Sequence, residues 1–232
     1  MWPLLSDANS EEPLNRLLTA FCLVLLARFS VADQRSAAFE RATTAFKQGK
    51  FEEAEKQVDI AAKADSKKPD IPNLRGAIFT REKRYAEATQ QFNQALALDP
   101  QFYPAKLNLA EVKLLEGEYA EATQEYQALK ELDPGSELVD FKLVLCALLE
   151  GEQSKASGIV DLMKFPGKTP AYYYARGAIA LKRGEKAAAQ NYFENAKKYY
   201  SEDECRYFAL SLKEIDLTSP PPPQPEKSPD QH

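Results

Sequence analysis

The six residues "YAEATQ" occur twice in this chain, at positions 85–90 and at positions 119–124, so that the two copies lie 34 residues apart. Formation of an amphipathic helix does not demand any fixed spacing between one helix and the next. A segment that returns at a constant interval is instead typical of repeat proteins, in which each unit buries its apolar face against its neighbours. The repetition therefore predicts a chain of similar, stacked units.

The same interval extends well beyond these two copies. Small residues recur at Ala54, Ala88, Ala122 and Ala156, and then at Ala189 after a step of 33. Large apolar residues follow each of them four positions later, at Val58, Phe92, Tyr126, Val160 and Phe193. A third series consists of Ala42, Gly76, Ala110, Val144 and Gly177, and a fourth series, typical of turns, consists of Gly49, Lys83, Gly117, Gly151 and Gly184. The register thus holds over five units.

A period of 34 with two small positions and a large apolar residue four after the second resembles the tetratricopeptide repeat family. Residues 69–102 match the family pattern best, through Gly76, Phe79, Tyr85, Ala88, Phe92, Ala95 and Pro100. The resemblance implies an all-α fold, an α-solenoid with a C-terminal capping helix over residues 204–217. Its helix-turn-helix repeats, about five in number, are expected at residues 35–68, 69–102, 103–136, 137–169 and 170–203. The small residues are expected where the two helices of a repeat cross, because bulk there would separate the backbones.

Two local features modify this picture. In the fourth repeat, Gly158 falls inside the second helix and "KFPGKTP" at residues 164–170 replaces the "LDP" that ends the second helix of repeats two and three. A glycine inside a helix costs about 1 kcal/mol relative to alanine, so we expect a shortened helix here. In the capping helix, we expect Phe208, Leu212 and Ile215 on the inner face and Ser211 on the outer face.

Composition argues against catalysis and against nucleic acid as a partner. The net charge is −5 and the basic residues are dispersed, without a Lys/Arg run that would follow a phosphate backbone. The single histidine is His232, so we expect no histidine-based catalytic or metal site and no cofactor in the folded part. Cys146 and Cys205 are separated by a whole repeat and are predicted to be reduced packing residues.

In the family that this chain resembles, the first helices of successive repeats line a concave groove that holds an extended peptide or a partner helix. The resemblance therefore implies a non-catalytic scaffold or adaptor with a protein or peptide partner. The implied peptide-binding positions are Phe39, Phe46, Asn73, Arg81, Leu107, Glu111, Leu114, Phe141, Leu145, Leu148, Tyr174 and Leu181. The set is largely apolar. Thr43, Ala77 and Glu111 do not supply the Lys, Asn and Arg clamp with which family members bind a C-terminal carboxylate.

Two alternatives to an open groove remain. In the first alternative, some of Phe141, Leu145 and Leu148 are covered by the capping helix or by superhelical closure of the array. In the second, the groove is filled by another copy of the chain, and the protein is a self-assembling structural module of an envelope complex.

The N-terminal segment has the pattern of an export signal. Residues 17–27, "LLTAFCLVLLA", are too few to span a bilayer as a helix but match the apolar core of a signal peptide. "SVA" at residues 30–32 predicts cleavage before Asp33. We therefore expect a signal peptide at residues 1–32, a periplasmic or secreted bacterial protein, and no stable membrane span after cleavage.

Two observations bear on that prediction. The residues ahead of the apolar run are acidic, whereas a signal peptide normally begins with a basic segment, and a true start near Leu14 would remove these acidic residues. A buried core helix is the alternative interpretation of residues 17–27.

The C-terminal segment, "TSPPPPQPEKSPDQH" at residues 218–232, is rich in proline and lacks a large apolar residue. Such a composition predicts a disordered or polyproline II tail. A solvated spacer and a PxxP-type ligand are both compatible with it.

The export prediction can be checked by mass spectrometry of the protein purified from its native cells. We expect a mature N-terminus at Asp33. An intact Met1 on a cytosolic protein would contradict both the cleavage site and the compartment.

Overall fold

The computed structural model describes residues 37–64 and 67–217, and the predicted signal peptide and proline-rich tail lie outside these residues. The described chain is all helical, so the predicted all-α repeat fold is confirmed. The helices are α1 (residues 37–47), α2 (Phe51–Ala64), α3 (Asp70–Arg81), α4 (Tyr85–Leu98), α5 (Tyr103–Glu116), α6 (Tyr119–Leu132), α7 (Glu137–Leu149), α8 (Gln153–Leu162), α9 (Ala171–Lys182), α10 (Lys186–Ala196) and α11 (Glu202–Glu214). None of these described helices is long and apolar enough to cross a membrane.

The first ten helices form antiparallel pairs, and each pair is joined by a tight turn. Every such turn contains one residue with a left-handed backbone, at φ values of 61 to 87°. These residues are the turn series of the sequence: Gly49, Lys83, Gly117, Gly151 and Gly184. A left-handed backbone costs a residue that carries a Cβ roughly 1–2 kcal/mol, which explains why glycine recurs at this position. Lys83 is the exception.

Within a pair, the two helices approach closely because a small residue faces a large one. A methyl group placed on Gly76 of α3 would lie 2.5 Å from Cε1 of Phe92 on α4. A methyl group placed on Gly177 of α9 would lie even closer to Cε1 of Phe193 on α10. The small positions of the sequence pattern are therefore set by the volume of the ring that packs over them.

The described helices form two compact units, which divide after Phe102. In the first, called unit 1, the described helices are α1 to α4, and Val58, Ile78 and Phe92 are fully buried. In the second, called unit 2, the core is centred on α7, which packs against α6, α8 and α9. Nine of the 13 residues of α7 are buried, as expected for a helix that is apolar nearly all round.

The second helix of the fourth repeat is short, as predicted. α8 contains 10 residues, whereas α4 and α6 contain 14 each. The helical backbone ends where Met163 adopts an extended conformation, and Gly167 in the following loop has a φ of 87°. Met163 and the segment "KFPGKTP" thus form a loop, called the 163–170 loop below.

The packing of a small residue on one helix against a large residue on the other predicts opposite effects for the same substitution at two glycines. Gly76→Ala should destabilise the protein because Phe92 is fully buried and its ring cannot move aside. Overpacking costs about 1–3 kcal/mol and outweighs the gain in helix propensity of about 1 kcal/mol. Gly158→Ala should stabilise by about 1 kcal/mol, because no described atom outside its own stretch of helix lies within 4 Å of the added methyl.

Urea unfolding of the two variants and of the unaltered chain measures both free energies. If Gly76→Ala were as stable as Gly158→Ala, the close approach of Gly76 to Phe92 would not limit the size of the residue at that position.

Candidate functional site

The predicted peptide-binding positions divide into an accessible and a buried set. The partly exposed positions are Phe39, Phe46, Asn73, Arg81, Leu107, Glu111 and Leu181. The positions with at most 3% exposure are Leu114, Phe141, Leu145, Leu148 and Tyr174, all in unit 2. The prediction that these five residues line an open groove is therefore wrong, because they belong to the core of unit 2.

For Phe141 and Tyr174, the physical reason for this burial is the C-terminal helix. α11 packs against α9, and the ring of Phe208 lies 5.0 Å from that of Phe141 and 5.7 Å from that of Tyr174. Phe141 and Tyr174 belong to α7 and α9, the first helices of the fourth and fifth repeats. The chain's own α11 thus covers the inner face that these two helices present. For Phe141, this agrees with the alternative in which the capping helix covers the groove.

Local sequence explains why α11 forms and which side it buries. Ser201 caps its N-terminus: the Ser201 amide donates to the Glu204 carboxylate at 2.8 Å, and the Ser201 hydroxyl accepts from the Glu204 amide. The buried side consists of Cys205, Phe208 and Ser211. The prediction that Ser211 lies on the outer face is wrong, since Ser211 is only 4% exposed.

Ser211 is buried because it completes a polar network around Lys142 of α7. Lys142 is fully buried, and its Nζ lies 2.5 Å from Oε2 of Glu111 on α5. The same ammonium donates to Oγ of Ser211 at 2.9 Å. The Glu111 oxygen also accepts from the hydroxyl of Tyr126 on α6 at 2.9 Å. The network therefore connects four helices of unit 2 through charge-assisted hydrogen bonds.

The electrostatics of the network favour its charged form. Burial by itself lowers the pKa of Lys142, but the adjacent Glu111 carboxylate more than offsets this effect, so the pKa is raised above its ordinary value. Burial, with a further contribution from Glu111, raises the pKa of Tyr126 well above its ordinary range. At neutral pH the lysine is charged and the phenol is a hydrogen-bond donor, as the observed bonds require.

Lys142 was not identified from the sequence as a special residue, although its sequence context indicates a buried charge. Residues 141–149, "FKLVLCALL", contain one charged side chain in an otherwise apolar run on a helix that is buried on nearly all sides. A lysine in such a run requires a buried partner of opposite charge. Glu111 was predicted as a groove residue, and the structure instead pairs its carboxylate with this lysine.

The two cysteines of the described chain are free and buried, as predicted. Burial raises the pKa of the Cys146 thiol to about 12, so it is protonated at neutral pH. Burial also raises the pKa of Cys205. Both thiols are therefore poor nucleophiles, which fits their packing role.

In unit 1, the predicted positions remain accessible. Phe39 and Phe46 of α1 and Asn73 and Arg81 of α3 are all partly exposed. The Thr43 hydroxyl bonds to the backbone oxygen of Phe39, one turn earlier in its own helix. This set, called the unit 1 inner face, combines two aromatic rings with an amide and a guanidinium group. Such a combination is common at sites that bind protein segments.

The Lys142 network predicts a strong coupling in stability. Lys142→Met should cost about 3 kcal/mol, because it leaves the Glu111 carboxylate without its cation. Adding Glu111→Gln should recover part of the loss, since an amide needs no counter-charge and still accepts from Tyr126. As a control, Lys113→Met removes an exposed pair with Glu125 and should cost less than about 1 kcal/mol.

Urea unfolding at pH 7 measures these values, and strictly additive effects of the Lys142 and Glu111 substitutions would contradict the coupling. The pH dependence has a defined sign. The pKa of Lys142 is higher in the folded protein than in the unfolded chain, where it is about 10.4. The protonated lysine therefore stabilises the fold fully below that pH, and this stabilisation is lost as the pH rises further.

Comparisons with known proteins agree with this architecture. Two family models, both described as tetratricopeptide repeat, match residues 79–142 and residues 39–101. No curated protein matches the chain.

Several solved structures share the fold. A tetratricopeptide repeat protein from Parabacteroides merdae aligns with a TM-score of 0.63 and 18% identity, over 86% of this chain and 81% of that one. TTC0263 of Thermus thermophilus aligns with a TM-score of 0.62 and 16% identity, over 77% and 99%. PilW, a type IV pilus biogenesis factor, aligns with a TM-score of 0.57 and 20% identity, over 86% and 99%. The repeat register, the helical pairs and the two family models together show that residues 39–142 belong to the tetratricopeptide repeat family, and the solved structures show that the described chain shares its fold.

Proposed function

We propose that the protein is a non-catalytic scaffold that binds an apolar peptide or amphipathic helix of a partner protein on the unit 1 inner face. The observation that supports this proposal is the position of α11. An amphipathic helix with Phe208 at the centre of its apolar side already lies on the first helices of the fourth and fifth repeats. In unit 2, the first helices of two successive repeats therefore present a surface that holds a helix, and we infer that the first helices of unit 1 can do the same for a partner.

Unit 1 offers the same positions in an accessible form. Phe39 and Phe46 provide partly exposed apolar side chains on α1, and Asn73 and Arg81 place an amide and a guanidinium group on α3. Aromatic and arginine side chains contribute most of the binding free energy at many protein interfaces. The partner segment should therefore present apolar side chains together with a carbonyl or carboxylate acceptor.

We place this activity in the bacterial envelope. The support for the location is the apolar run at residues 17–27 and the small residues at 30–32, which have the composition of a cleavable signal peptide. The partner would accordingly be an envelope protein.

The binding proposal predicts a selective loss of capture. The unaltered chain is used as bait in envelope extracts beside two variants, Phe39→Ser with Arg81→Ala, and the control Ile60→Ser on the outer side of α2. A specific partner should be retained by the unaltered chain and by the control, and its capture by the first variant should fall at least tenfold, which corresponds to about 1.4 kcal/mol. Melting curves verify that the variants remain folded.

Equal capture by both variants would exclude the unit 1 inner face as the binding site. Light scattering of the unaltered chain tests the alternative function, because a mass that increases with concentration would favour a self-assembling module over a scaffold for another protein.

A further inference from the structure

Unit 2 carries a cluster of aromatic side chains that surrounds the buried Tyr173 and that the proposed function does not use. Its members, called the aromatic patch, are Phe165, Tyr172, Tyr173, Tyr199 and Tyr200. The ring of Phe165 lies 5.1 Å from that of Tyr172 and 5.8 Å from that of Tyr173, and Tyr199 stacks on Tyr173 at 5.9 Å. Phe165 and Tyr199 are 66% and 62% exposed. Large apolar side chains that are clustered and exposed mark interaction sites.

The patch is presented by a loop that is anchored on both sides of Gly167. The Glu137 carboxylate accepts hydrogen bonds from the amides of Lys168 and Thr169, both at 2.8 Å, and from the Thr169 hydroxyl at 2.7 Å. The Tyr200 hydroxyl donates to the backbone oxygen of Pro166 at 2.6 Å. These bonds hold the 163–170 loop in place, so Phe165 loses little conformational freedom when a ligand binds.

The chemistry of the patch fits a proline-rich ligand. Polyproline II segments bind to surfaces of neighbouring aromatic rings, because proline rings pack flat on aromatic faces and the extended backbone leaves its carbonyls free to accept hydrogen bonds. This chain contains such a segment, since six of the fifteen residues at 218–232 are proline. We propose that the proline-rich tail binds to the aromatic patch of its own chain.

The length of the tail is sufficient for this arrangement. The patch lies at the start of α11, because Tyr199 and Tyr200 directly precede the capping residue Ser201. Helix α11 has 13 residues and is about 20 Å long, and the buried Leu217 follows its other end. A polyproline II segment rises 3.1 Å per residue, so that Pro225, eight residues after Leu217, reaches back about 25 Å. Pro225 and the residues after it can therefore contact the patch.

Charge and connectivity also favour the tail of the same chain. Lys164 and Lys168 are exposed on the 163–170 loop, and the part of the tail that would reach the patch contains two acidic residues, Glu226 and Asp230, against one basic residue, Lys227. Attachment to the same chain raises the effective concentration of the tail to the millimolar range, so a weak contact is sufficient for binding.

The test is ¹⁵N relaxation of the full chain and of two variants. In the unaltered chain, the amides of Glu226 and Lys227 should have order parameters well above those of a synthetic peptide of residues 218–232. Phe165→Ser should lower them to below about 0.6, the range of flexible backbone. The control Leu132→Ser removes a side chain of similar exposure, 60%, from another part of unit 2 and should leave them unchanged.

The spectrum of residues 103–217 shows whether each variant is folded, and Tyr199→Ser provides a second variant of the patch. Order parameters that are already at peptide values in the unaltered chain would overturn the proposal. Values that rise with protein concentration would overturn it as well, because the tail would then bind to a second copy.

Discussion

The contact between Gly76 and Phe92 represents the constraint on which the whole architecture depends. A hairpin of two helices has a fixed crossing distance, so a large side chain on one helix requires a small one on the other. The paired positions lie 16 residues apart in the repeats, glycine with phenylalanine at 76/92 and 177/193, and valine with valine at 144/160. The spacing is thus kept while the individual residues of the pair change. This explains why the sequence keeps its period although "YAEATQ" itself occurs only twice.

The features that follow from local contacts were predictable from the sequence. The helical pairs, the left-handed turns and the shortened α8 all depend on residues within one repeat, whose spacing is visible in the sequence. The exposure of Phe141 and Tyr174 depends instead on where α11 lies, and α11 is separated from α7 in the sequence by three whole helices. Periodicity specifies which side of a helix is apolar but does not specify whether a partner protein or a distant part of the same chain covers it.

The placement of Ser211 shows, for a single residue, the same limit on predicting burial from the sequence. A serine between Phe208 and Leu212 is polar by type, so it was predicted on the outer face. Its position three residues after Phe208 nevertheless lies on the buried side of the helix, and the ammonium of Lys142 provides the partner that makes burial of a hydroxyl favourable. A shift of α11 along its axis would leave Lys142 without this acceptor. The buried lysine therefore specifies one register for the helix, whereas apolar packing alone tolerates several.

The network around Lys142 also has a consequence for the order of events during folding. Residues 142 and 211 are 69 positions apart, whereas the paired positions within a repeat are separated by only 16. Closing the longer segment costs more chain entropy, so we expect the hairpins to form first and α11 to dock last. Until α11 docks, we expect water to hydrate the Lys142 ammonium group on α7. We therefore expect the docking of α11 both to complete unit 2 and to exclude the last water from the Lys142 side chain.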